Sequence, residues 1–132
     1  VKNETIIRLI KKNLSDDLRK PKYRGESNQL KGHCYVASEA FYHLCNNSSE
    51  WKPGTLRHEG DIHWLLKHRK TGEVVDITAT QFTRLPDYDK FRGRGFLTKS
   101  PSKRTQKLIK KIRKDMRKFR LLALSPSNKG KG

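Results

Sequence analysis

Lys31-Gly32-His33-Cys34-Tyr35-Val36-Ala37-Ser38-Glu39-Ala40 is the stretch from which the rest of the chain can be placed. A glycine breaks the chain just before a cysteine. Beyond it Val36, Ala40, Phe41 and Leu44 fall on one face at helical spacing. The pattern predicts a buried helix from about Cys34 to about Cys45, with Cys34 in its first turn. Free N–H groups and the positive end of the helix dipole favour an anion there, and so a thiolate over a thiol. A nucleophile gains from that position, whereas a structural cysteine gains nothing special. Cys45 reads as core. His33, beside the nucleophile position, is expected to be exposed.

Two further stretches carry chemistry. Ile62 to Lys67 and Glu73 to Thr78 read as strands, joined through Arg69-Lys70-Thr71-Gly72 with Gly72 supplying positive φ. A two- or four-residue loop centred on Lys70-Thr71 sets Leu65 opposite Asp76. His63 shares Leu65's face, so Asp76 lies diagonally across from it, within side-chain reach. A three-residue loop would turn Asp76 to the other face. Asp76 sits between Val75 and Ile77, and a carboxylate in an apolar strand is costly to bury without a partner. Cys34, His63 and Asp76 therefore form a candidate nucleophile, base and orienting carboxylate. His58, with Glu59 beside it on a short strand over Thr55–His58, is the rival base.

Working outward, Asn3 is expected to cap a first helix striped by Ile6, Ile7, Ile10 and Leu14. Ser15-Asp16-Asp17 restarts a short helix that Pro21 ends. Trp51 to Gly54 reads as a loop. Arg92-Gly93-Arg94-Gly95-Phe96 reads as flexible and basic. Ser100-Pro101 opens a last helix, with Ser as cap, docked by a stripe from Leu108 through Ile112 and Met116 to Phe119. A single α+β domain over 1–124 is expected, with a flexible tail at 125–132.

The charge is extreme: 31 basic against 13 acidic residues, a net +18 with a pI near 10.3. Nucleic acid or another polyanion is the first partner this implies, and an acidic protein the second. The expected contacts are Arg92, Arg94, Lys103, Arg104, Lys107, Lys110, Lys111, Arg113, Lys114, Arg117 and Lys118. Cys34 and Cys45, eleven apart on one helix, lie roughly 16 Å from each other, beyond disulfide reach. Free thiols point to a reducing compartment, the cytoplasm. No apolar run is long enough for a membrane span, and no signal-peptide core is present. No cofactor is implied. His33, Cys34, Cys45, His58 and His63 lack metal-ligand spacing, so no metal site is expected.

The Gly-His-Cys-Tyr-Val-Ala run resembles the Gly-Gln-Cys-Trp-Val-Phe-Ala run of transglutaminase-like enzymes, and the helix-start cysteine of papain-like proteases. His63-Trp64-Leu65 and Val75-Asp76 resemble their histidine and aspartate strands. The likeness covers roughly residues 28 to 82, with His33 where family members carry Gln. It implies a cysteine helix packed on a small antiparallel sheet, and acyl chemistry: peptide or isopeptide hydrolysis, deamidation or acyl transfer. It also implies an oxyanion donor just upstream, Gln29 or Asn28, beside the Cys34 N–H. Trp64 would shield the ion pair from water. With its basic last helix, the ensemble resembles a small phage or viral protein, which would put it in host cytoplasm. Two other readings fit the same residues: a basic nucleic-acid-binding module without catalysis, and a degenerate enzyme whose scaffold binds a host protein.

Overall fold

The computed structural model describes residues 1–28 and 30–123; Gln29 and the expected tail at 125–132 lie outside the described residues. Ile6, Leu9 and Ile10 recur at three- and four-residue steps, and helix α1 (Asn3–Asn13) buries all three. Asn3 does not cap it. Lys2 holds the cap position in extended backbone and Asn3 is already helical. The second helix expected after Ser15 shrinks to one 3₁₀ turn, Asp16–Leu18, and Pro21 opens another, Pro21–Tyr23, instead of ending a helix. Proline's fixed φ suits the first position of a turn.

Helix α2 (Cys34–Leu44) falls where the periodicity puts it, with Cys45 just past its end. Gly72 (φ 75°) takes the left-handed bend expected of it, and Gly32, where the chain breaks before Cys34, takes one too (φ 83°). Two long antiparallel strands follow, β1 (Trp51–His58) and β2 (Asp61–His68). The loop expected over Trp51–Gly54 is instead the first half of β1. Trp51 is buried edge-on against Phe41 (ring centroids 5.5 Å), and that packing overrides the Pro-Gly turn signal.

The short strands β3 (Val74–Val75) and β4 (Arg92–Gly93) complete a sheet of order β3-β2-β1-β4. Leu66 pairs with Val75 and Lys67 with Val74, and the His68 N–H donates to the Glu73 carbonyl at 2.7 Å. The loop is thus residues 69–72, an even number, and the register is the one that brings Asp76 level with Leu65. The strand expected to reach Thr78 stops at Val75, because the chain turns there: the Ala79 N–H bonds back to the Asp76 carbonyl. Arg92–Phe96 is pinned as well. It pairs with β1 and stacks Phe96 on Trp64 at 5.7 Å.

Helix α3 (Lys103–Ala123) is capped by Ser102, whose hydroxyl accepts from the Thr105 N–H at 3.3 Å; Ser100 and Pro101 lie outside it. Leu108, Ile109 and Ile112 are buried and Met116 is partly so, but Phe119 is 56% exposed. At 21 residues α3 outruns the 11-residue helices beneath it, so docking stops short of Phe119. The three helices close with Trp51, Leu66, Val75 and Ile77 into one core. The architecture is α+β, with the cysteine helix against a small antiparallel sheet.

Gly54 lets β4 approach β1. A Cβ there would lie 2.4 Å from both the Arg92 carbonyl oxygen and Phe91 Cζ, whereas a Cβ on Gly95 would meet nothing. Gly54→Ala should therefore lose about 1–3 kcal/mol in a denaturant titration, and Gly95→Ala less than about 0.5 kcal/mol.

Candidate active site

His63 sits in β2 opposite Leu56 of β1, and Asp76 is the first residue past β3. Their side chains are 1% and 3% exposed, and Nε2 of His63 lies 2.6 Å from Oδ1 of Asp76. The other carboxylate oxygen, Oδ2, accepts from the Tyr88 hydroxyl at 2.9 Å. Phe82 stands edge-on to the imidazole at 4.9 Å. Cys34 is close enough to the same ring to act on its charge, and the two line one cleft. Nε2 is committed to Asp76, which leaves Nδ1 as the free ring nitrogen. Sulfur, imidazole and carboxylate are thus gathered in one place.

Burial by itself pulls the His63 pKa down, since it disfavours imidazolium. The bonds and charges of Asp76 and Cys34 outweigh it and carry the value from 6.5 up to about 9. At neutral pH the ring holds its proton. Burial, followed by the neighbouring Asp76 carboxylate, pushes the Tyr88 hydroxyl up, so it stays a donor.

The segment leading to Cys34 is wrapped around one buried guanidinium. Arg19 donates to the carbonyls of Lys31 (2.7 Å), Glu26 (3.0 Å) and Asn28, and to the Asp16 carboxylate (2.8 Å). His33, expected at the surface, is fully buried, with Nε2 2.8 Å from the Ser15 carbonyl. It anchors the helix start to the turn after α1. Asn28 is exposed, and its side-chain oxygen accepts from the Leu30 N–H, stabilising its own turn. Gln29 lies outside the described residues. The cap residue of α2, His33, makes no side-chain bond to the first-turn amides.

Cys34 and His63 open on a cleft of about 570 Å³, also lined by Tyr35, Trp64, Gln81 and Phe82. Trp64 packs edge-on to Tyr35 at 4.9 Å, so the ring covering His63 is Phe82 instead. The rival base His58 also lies against Phe82, at 4.6 Å, its Nε2 3.0 Å from the Arg84 carbonyl. Cys45 is buried and unbridged. Arg94 and Arg104 line the cleft. Arg92 is exposed on β4, and Lys103, Lys107, Lys110, Lys111, Arg113, Lys114, Arg117 and Lys118 are exposed along α3. Asp115, the one acid of that helix, is held by Lys12 (3.3 Å) and Asn13 (2.9 Å). Among the described residues, no cluster of three or more metal-ligating side chains occurs. Nor is any helix long and apolar enough to cross a membrane.

Tyr88, Phe82 and Arg19 are absent from the sequence reading. Tyr88 is twelve residues beyond Asp76, at no spacing that a strand or helix would flag. The one local signal is Asp87, whose side chain accepts from the Asp89 N–H and starts the turn that aims Tyr88 inward. The chain matches no protein-family model, no curated protein and no solved structure.

The raised His63 pKa has a sign. A folded value above the unfolded one stabilises the fold fully below pH 6.5, and that contribution is lost as pH rises to about 9. Unfolding free energy should fall across this window by up to about 3 kcal/mol. Asp76→Asn should flatten the slope, as followed by urea titration at pH 6 to 9.5.

Proposed function

We propose that the protein is a thiol-dependent hydrolase or acyl transferase of the papain-like and transglutaminase-like kind. The single observation that carries this is the gathering of Cys34, His63 and Asp76 on one cleft. In the reactive form the proton is on the ring and the sulfur attacks. Sγ of Cys34 adds to an acyl carbon, forming the S–C bond and pushing the carbonyl π pair onto oxygen. The Cys34 backbone N–H is the nearest oxyanion donor. When the oxyanion collapses the C–N bond breaks, and the amine leaves with the proton from His63. Water or an acceptor amine then gives its proton to His63 and attacks the thioester, which returns the thiolate and the protonated ring. Asp76 holds the imidazole in orientation throughout, and Tyr88 holds Asp76. Unbridged Cys34 and Cys45 favour a reducing, cytoplasmic setting.

A second reading concerns the surface. The outer face of α3 is a row of exposed cations whose one acid is already paired. We infer that this face binds a polyanion such as nucleic acid, which is compatible with catalysis or can operate without it.

Alkylation with iodoacetamide at pH 7 tests the first reading. Cys34 should react faster than free cysteine. Cys45, whose thiol burial pushes up, should react far more slowly. His63→Ala should slow Cys34 by about 10². Equal reactivity of the two thiols, with no effect of His63→Ala, would sink the enzyme. For the second reading, oligonucleotide binding should weaken steeply with salt. Replacing Lys110, Lys114 and Arg117 by Gln should lower the log–log slope by about 3.

A further inference from the structure

The walls of the cleft, more than its floor, are what the reading above leaves unused. Six cations converge on it from four parts of the chain: Lys20, Lys22 and Lys31 before α2, Arg57 on β1, Arg94 after β4 and Arg104 in the first turn of α3. Two carboxylates line it, Glu59 and Asp61, both at the β1–β2 turn. Glu59 is engaged by the Thr83 hydroxyl at 3.1 Å. Among the described residues, none of the six but Lys31 is ion-paired with a carboxylate. Acids are spent on cations elsewhere instead: Asp115 on Lys12, Asp16 on Arg19, Asp17 on Lys111.

Besides Lys22 over the Tyr23 ring at 4.8 Å, two arginines are held in place. Arg94 lies over the Trp64 ring, 5.3 Å from its centroid, and Arg104 donates to the Leu18 carbonyl at 3.0 Å. Like charges gathered in a concave site repel one another and focus a positive field on whatever enters. That arrangement fits an anionic occupant. The floor narrows the choice. A sulfur nucleophile needs an acyl carbon, and a phosphodiester backbone presents none. A cleft of about 570 Å³ takes a few residues.

We propose that this cleft takes an acidic peptide segment, whose Asp and Glu carboxylates meet the six cations while its acyl carbon meets Cys34. The proposal rests on the thiol reading for its chemistry. Its binding half can be tested apart from that chemistry.

The probe is an acetylated octa-glutamate amide, with octa-glutamine, octa-lysine and an eight-nucleotide oligothymidylate beside it. The readout is the iodoacetamide rate at Cys34 in the full chain. Octa-glutamate should slow alkylation by about fivefold or more at low salt, and the protection should fade as salt rises. Octa-glutamine and octa-lysine should not protect. Lys20→Gln with Arg57→Gln, both at exposed positions, should remove most of the protection; Lys110→Gln with Lys114→Gln on α3 should leave it intact. Three results would overturn the proposal: octa-glutamate protecting no better than octa-glutamine, the oligonucleotide protecting where octa-glutamate does not, or the α3 pair abolishing protection as fully as the cleft pair. A Cys34 rate that is ordinary and indifferent to His63→Ala, yet slowed by octa-glutamate, would remove the enzyme reading and leave the acidic-peptide site standing.

Discussion

An imidazole and a carboxylate, each almost wholly buried and 2.6 Å apart, are the interaction on which the rest of this structure turns. Such a pair is poor value for stability alone. Desolvating both groups cancels most of their attraction, and well-packed apolar side chains would do as well or better. A chain that is only 33% hydrophobic has little core to spare for it. Its upkeep reaches further than the pair itself. Tyr88 must supply a second donor to Asp76, Phe82 must cover the ring, and residues 69–72 must stay even in number to keep the register. That cost, met next to a sulfur and on a cleft, is what supports the proposed thiol chemistry over a purely structural role.

The sulfur reaches the pair by a different route. Arg19 draws three backbone carbonyls of the preceding loop onto one guanidinium, and buried His33 fastens the helix start to the turn after α1. From the other side, buried Glu39 of α2 accepts from the Ser102 N–H at 3.0 Å and so ties α2 to the cap of α3. Cys34 is therefore positioned by long-range polar contacts at both flanks. None of these contacts involves His63 or Asp76.

How much of this was legible follows from the range of the interactions. The bounds of α2 and the parity of the β2–β3 loop are local: four apolar residues at helical spacing, and a count of residues between two strands. Both could be read directly, and with them the meeting of His63 and Asp76. Tyr88, Phe82 and Arg19 act across loops whose paths no periodicity encodes. The first half of β1 was hidden for a related reason. Pro53-Gly54 is a turn signal taken locally, and it becomes a strand only because Trp51 packs on Phe41 and β4 lies against Gly54. His33, polar and expected at the surface, is buried because its ring nitrogen finds the Ser15 carbonyl, a partner no local pattern marks.

The charge completes the argument. A net +18 on 132 residues is a standing repulsion that opposes compaction. If the excess served solubility alone, spreading it evenly would cost least. Instead acids relieve α1, α3 and the loop around Arg19, while among the described residues five of the six cations at the cleft beside Cys34 have no carboxylate partner. Arg94 rests on the Trp64 ring and Arg104 on the Leu18 carbonyl, which limits how far these two can move apart. Repulsion among the cations beside Cys34 is lowered by an anion set among them, which favours the occupied cleft over the empty one.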